Sequence, residues 1–78
     1  METFEKLQLI IADVLGIRAD AISIITPEST PRDLEANSID MIDIVGEAEQ
    51  TFQVEVPDEA LEAFETVGDM VAYLDAHS

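Results

Sequence analysis

Residues 38–51 read Ser38-Ile39-Asp40-Met41-Ile42-Asp43-Ile44-Val45-Gly46-Glu47-Ala48-Glu49-Gln50-Thr51, and their pattern decides the fold. Ile39, Ile42, Val45 and Ala48 step along one stripe, which Ile44 and Phe52 widen. Asp40, Asp43, Glu47 and Glu49 occupy the rest of the surface. This is the helical period rather than the alternation of a strand, so the spacing predicts an amphipathic helix over 38–51. Gly46 is an anomaly inside it, costing roughly 1 kcal/mol relative to Ala. Asn37 or Ser38 suits the N-cap, because either side chain can accept from a free N–H of the first turn.

On the N-terminal side, Phe4, Leu7, Ile10, Ile11, Val14 and Leu15 predict a first helix over 3–15, which Gly16 stops. Glu2 and Glu5 at its start suit the helix dipole. Residues 17–37 form a long connection broken by Thr26, Pro27, Ser29, Thr30 and Pro31. Within it, Thr30-Pro31-Arg32-Asp33 reads as one capped helical turn, with Asp33 as a short stand-in for the capping-box Glu. Ile22, Ile24, Ile25 and Leu34 are expected to pin the connection to the core. On the C-terminal side, residues 52–56 alternate with period two. They form either a short strand, paired with 21–26, or an extended connection. Pro57 then forces Val56 out of helical geometry. A short helix is predicted over 58–64 and a last helix from the Thr66 cap to about residue 76. The last helix turns Val67, Met70, Val71 and Leu74 inward, and Tyr73 is expected to bury its ring and keep its hydroxyl wet.

The whole chain of 78 residues is read as one domain, with little room for a sizeable active-site cavity beside a core. It holds 18 acidic residues against three basic ones, a net charge of −15. That charge repels nucleic-acid phosphates and anionic membrane surfaces. It does not imply disorder, because 47 per cent of the residues are hydrophobic. With no Cys there is no disulfide, thiolate nucleophile or Cys-ligated metal. No apolar run approaches the roughly 20 residues of a membrane span. The acidic start Met1-Glu2-Thr3-Phe4-Glu5 lacks the basic and apolar regions of a signal peptide, so a cytoplasmic location is expected.

Catalytic candidates are few. A Ser/His/Asp arrangement would depend on His77, next to the end of the chain. No window has the ligand spacing of an EF-hand loop. Asp40 and Asp43 share one helix, but solvated surface acids are the simpler reading than a cation site. Ser38 is the informative residue, at the junction of the long connection and the acidic helix. It is either a capping residue or a hydroxyl that carries a phosphate group, since a helix N-terminus favours an anion. The two readings are compatible.

Asn37-Ser38-Ile39-Asp40 resembles the Asp-Ser-Leu-Asp motif of acyl carrier proteins, and the likeness spans the chain. Val14-Leu15-Gly16-Ile17 resembles the end of that family's first helix, and Asp33-Leu34 its approach to the motif serine. Glu49-Gln50-Thr51-Phe52 and Val54-Glu55-Val56-Pro57-Asp58-Glu59 resemble the end of the second helix and the start of the third. Thr66-Val67-Gly68-Asp69 and Tyr73-Leu74 are similar to the start and body of the last.

The resemblance implies an all-α four-helix bundle with a short third helix and a long loop between helices one and two. It favours the extended connection over the strand at 52–56. It implies a non-catalytic carrier. Ser38, flanked by Asn37 and Asp40, would receive 4′-phosphopantetheine from coenzyme A through a phosphopantetheinyl transferase. The arm's thiol would hold acyl groups as thioesters, which answers the lack of Cys. Ile39, Asp40, Ile42, Asp43, Glu47, Glu49 and Asp58 would meet basic patches on an acyltransferase, a ketosynthase and related enzymes. Ile42, Val45, Leu61, Phe64 and Val71 are either ordinary core or the lining of a space that shelters the acyl chain. A monomer is expected.

Three positions depart from the family pattern: Asn37 stands for Asp, Ile39 for Leu, and Gly46 for a larger apolar residue, often Met. The first loop also looks slightly longer than usual. These departures suit a carrier dedicated to a polyketide or another special product as readily as one for fatty acids. Other readings are a peptidyl or aminoacyl carrier, an unmodified acidic adaptor for a basic partner, and, with least support, a hydrolase.

Overall fold

The computed structural model describes residues 2–77, and Met1 and Ser78 lie outside them. The described chain runs through α1 (Thr3–Leu15), a 3₁₀ helix (Ala19–Ile24), α2 (Ser38–Phe52), α3 (Asp58–Ala63) and α4 (Val67–His77). No strand occurs among the described residues. The expected all-α bundle with a short third helix is the observed architecture.

Helical periodicity builds the core. α1 turns Leu7, Ile10, Ile11 and Ala12 inward, with Leu7 and Ile11 wholly buried. It packs against α2, α4 and the 3₁₀ helix. α2 contributes Ile44, Val45 and Ala48, and α4 contributes Val67, Met70 and Leu74. Gly16 closes α1 in the left-handed region, at φ 72, and its N–H donates to the Ala12 carbonyl. Only a residue without Cβ takes that conformation freely. The Thr3 hydroxyl donates to the Asp75 carboxylate and ties the start of α1 to the end of α4.

The connection between α1 and α2 is part of the scaffold. The Gln8 side-chain amide donates to the carbonyls of Ile22 and Ile25 at 3.1 and 2.9 Å. Ile25 is buried, and Ile22 and Leu34 pack against the core. Ile24 does not join them and stays exposed. A 3₁₀ helix has three residues per turn, so residues 22 and 25 share a side and 24 does not. Further along, the carbonyls of Ser29 and Pro27 accept from the N–H groups of Val67 and Gly68 at 2.9 and 2.8 Å. The loop thereby satisfies two donors that the start of α4 leaves open. A Thr66–Asp69 capping box completes that end.

The turn before α2 has the predicted cap. The Thr30 hydroxyl accepts from the Asp33 N–H, and the Asp33 carboxylate accepts from the Thr30 N–H. The turn closes when Ala36 donates to the Pro31 carbonyl and Glu35 to that of Arg32. This places Glu35 at φ 58, a conformation that suits glycine. Glu35→Gly should therefore raise stability by about 0.5–1 kcal/mol, less than the full left-handed penalty because glycine also loosens the unfolded chain. Urea denaturation checks this, and no gain would contradict the closed turn.

After α2, Gln53 turns left-handed at φ 56 and the chain runs extended to Pro57. Its backbone groups are satisfied by side chains instead of a strand partner. The Glu49 carboxylate accepts from the Val56 N–H at 2.7 Å, and the Tyr73 hydroxyl donates to the Glu55 carbonyl at 3.0 Å. Of 21–26, the other strand candidate, residues 21–24 are in the 3₁₀ helix. The Tyr73 hydroxyl is thus engaged with the backbone, where the sequence suggests only solvent.

Candidate functional site

The site is built at the start of α2. Asn37 precedes the helix in an extended conformation, and its side-chain oxygen accepts from the Asp40 N–H at 2.8 Å. The Asp40 carboxylate accepts in return from the Asn37 N–H at 3.2 Å. Both halves of a capping box are present. The cap therefore belongs to Asn37. Ser38 is the first helical residue, exposed, with its hydroxyl outside the cap. Its position at the N-terminus of a 15-residue helix adds free N–H groups and the positive end of the dipole.

Beside Ser38 a cleft of about 250 Å³ opens between α2 and α3. Pro31, Met41, Ile42, Leu61, Glu62 and Phe64 line it with Ser38. Met41 lies one turn from Ser38 and was accessible to helical spacing. Pro31, in the capped turn before α2, and Glu62, on α3, reach the cleft only through the fold, so helical spacing gave no signal for them. An exposed hydroxyl, a helix N-terminus and a mostly apolar cleft fit a phosphate-linked arm.

A second cleft of about 320 Å³ continues along α2, lined by Ile42, Val45, Gly46, Glu49, Val56, Asp58 and Leu61. Ile42 and Leu61 line both clefts, Val45 only the second and Phe64 only the first. Val71 lines neither and packs against the core. The interior space that Phe64 shares with Ile11, Leu34, Met41, Ile44 and Met70 is about 10 Å³, the scale of one water molecule.

Among the surface residues, Ile39 and Ile42 are 69 and 59 per cent exposed. Desolvating them within the fold is not what holds α2 in place. The four acids of α2 divide. Asp43 and Glu47 are exposed, whereas Asp40 and Glu49 are half-buried and hydrogen-bonded to backbone N–H groups. Asp58 is exposed at the start of α3. His77 stacks on the Tyr73 ring, with Nδ1 2.8 Å from the Tyr73 carbonyl oxygen. No hydrogen bond among the described residues links it to Ser38. No group of three or more acidic or His side chains among the described residues converges as a metal site, and no helix is long and apolar enough to cross a membrane.

The chain is similar to known proteins over nearly its whole length. The family model described as "Phosphopantetheine attachment site" matches residues 5–74. An acyl carrier protein of Clostridium perfringens is 43% identical over 76 residues, covering 96% of each chain. One of Clostridium acetobutylicum is 44% identical over 75 residues, covering 96% of this chain and 95% of the relative. One of Helicobacter hepaticus is 37% identical over 78 residues, covering 99% of each. With a phosphopantetheine-attachment pattern over nearly its whole length and these relatives, the chain belongs to the acyl carrier protein family.

Proposed function

We propose that Ser38 is the attachment residue for 4′-phosphopantetheine and that the chain is a non-catalytic carrier working in the cytoplasm. The observation that carries this reading is the Asn37–Asp40 capping box, which holds the first turn of α2 while leaving the Ser38 hydroxyl exposed beside an apolar cleft. When bound, the arm supplies a thiol that holds an acyl group as a thioester. The chain's own residues hold the serine and present the surface. The N-terminal end of α2 favours the phosphate linkage, and the cleft walls Met41, Ile42, Leu61 and Phe64 offer apolar surface to the arm.

A phosphopantetheinyl transferase loads Ser38, and an acyltransferase and ketosynthase of fatty-acid or polyketide synthesis exchange acyl groups with the arm. Ile39 and Ile42 supply the apolar part of the docking face, and Asp43, Glu47 and Asp58 the charge. Complementary fields speed encounter and set orientation, and salt weakens them. Ile42, Val45, Leu61 and Phe64 form the shelter open to a short acyl chain at the surface.

The test loads the chain with coenzyme A and a phosphopantetheinyl transferase, then adds malonyl-CoA and an acyltransferase. The expected product carries a hydroxylamine-labile malonyl group on the loaded chain and none on Ser38→Ala. Malonyl transfer to Ser38→Ala at the wild-type rate contradicts the assignment. Loading by aminoacyl donors in place of acyl donors supports a peptidyl carrier.

A further inference from the structure

Two spaces meet at Met41. The cleft beside Ser38 is open and measures about 250 Å³. The interior space behind it, among α1, α2 and α4, measures about 10 Å³ and has an apolar lining. Pro31, Met41 and Phe64 line both, so these three side chains are the floor that separates the cleft from the core. Two of the three are held. Pro31 has a fixed ring, and its carbonyl accepts from the Ala36 N–H at 2.8 Å. The Phe64 ring packs edge-on against Tyr73, with centroids 5.7 Å apart, and the Tyr73 hydroxyl donates to the Glu55 carbonyl. Met41 is half-buried and packs against the core, and its unbranched thioether is the adaptable part of the floor. Below it, Ile11, Ile44 and Val67 are at most 2 per cent exposed. Anything passing the floor has to displace close-packed side chains, which opposes its entry.

We infer that Met41 determines the length of acyl chain this carrier shelters, by closing the way from the Ser38 cleft into the core. The inference rests on the carrier reading above and names the cargo: short acyl groups fit, and the ends of long ones stay in water. The arm on Ser38 brings its thioester to the cleft, where the first methylenes find apolar walls. The next ones meet the Met41 side chain. A methylene that leaves water raises the sheltered population about four-fold, and one that stops at the floor adds nothing. Shortening Met41 joins the two spaces and lets the chain continue toward Ile44 and Met70, which line the interior one. Leu is close to Met in volume and keeps the floor in place.

Wild type, Met41→Leu and Met41→Ala are loaded by a phosphopantetheinyl transferase from acyl-coenzyme A, in a series from acetyl to dodecanoyl. Cleavage of each thioester by hydroxylamine is then timed, because a sheltered chain holds its thioester away from the reagent. In wild type and Met41→Leu, cleavage should slow over the first members and then level off. In Met41→Ala it should go on slowing past that point, by up to about four-fold for each added methylene. The comparison is made within each variant, so a general loss of stability in Met41→Ala does not produce the expected pattern. Cleavage by wild type that slows steadily to dodecanoyl overturns the floor, and this arm holds even if Met41→Ala fails to fold. The same length profile in wild type and Met41→Ala overturns the role of Met41. A wild-type chain that takes up no arm instead contradicts the carrier reading, so the failures are distinct.

Discussion

Ile44→Ala lowers the unfolding free energy by about 3 kcal/mol, while Ile42→Ala, on the same helix, changes it by less than about 0.5 kcal/mol. Ile44 is 1 per cent exposed and lies in the core with the residues of α1 and α4. Truncating it removes buried methyl groups and leaves a cavity, and the two terms add. Ile42 is 59 per cent exposed and loses little on truncation. The two isoleucines are chemically identical and close in sequence, so the contrast isolates burial. The effect is large for this chain, because a domain this small has a core that rarely supplies more than about 3–5 kcal/mol. Urea denaturation gives both values from shifts of the midpoint at constant slope. Similar losses for the two variants would contradict the placement of Ile42 on the surface.

Glu49→Ala costs about 2 kcal/mol, and Glu49→Gln recovers at least half of it. The Glu49 carboxylate accepts from the Val56 N–H at 2.7 Å in a half-buried setting. Truncation strands that donor and frees the extended run after α2, whereas the Gln carbonyl can still accept. The bond bears on function as well. A loss of partner affinity in Glu49→Ala combines missing charge with a displaced α2–α3 connection. Glu49→Gln separates them, since it removes the charge and keeps an acceptor. Exposed Asp43 and Glu47 carry no such structural duty among the described hydrogen bonds, and their neutralisation reports charge more directly. Equal destabilisation by Ala and Gln would contradict the structural role of the Val56 bond.

The four α-helices were legible because each combines a sustained apolar period with a local stop or start signal. Gly16 ends α1 where the sequence places it, and Thr66 with Asp69 caps α4. The 3₁₀ helix was not legible. Ala-Asp-Ala-Ile-Ser-Ile is too short for a clear period and its isoleucines also suit a strand, so only its packing under Gln8 settles it. For the same reason Ile24 could not be told from Ile22 and Ile25. At the site, the composition of residues 37–40 showed that a capped helix begins there, but either Asn37 or Ser38 could serve. The paired bonds between Asn37 and Asp40 decide it. Glu49 illustrates the opposite limit. Its position on a polar helical face reads as surface charge, and its bond to Val56 depends on a chain reversal that helical spacing does not encode.

One measurement tests the exposed Ser38 hydroxyl directly. Wild type and Ser38→Ala are incubated with coenzyme A and a phosphopantetheinyl transferase, weighed intact, and then mapped as peptides. The wild-type chain should gain the mass of one phosphopantetheine, located on Ser38, and Ser38→Ala should gain none. No gain by wild type with any of several transferases, or the same gain by Ser38→Ala, would contradict the account.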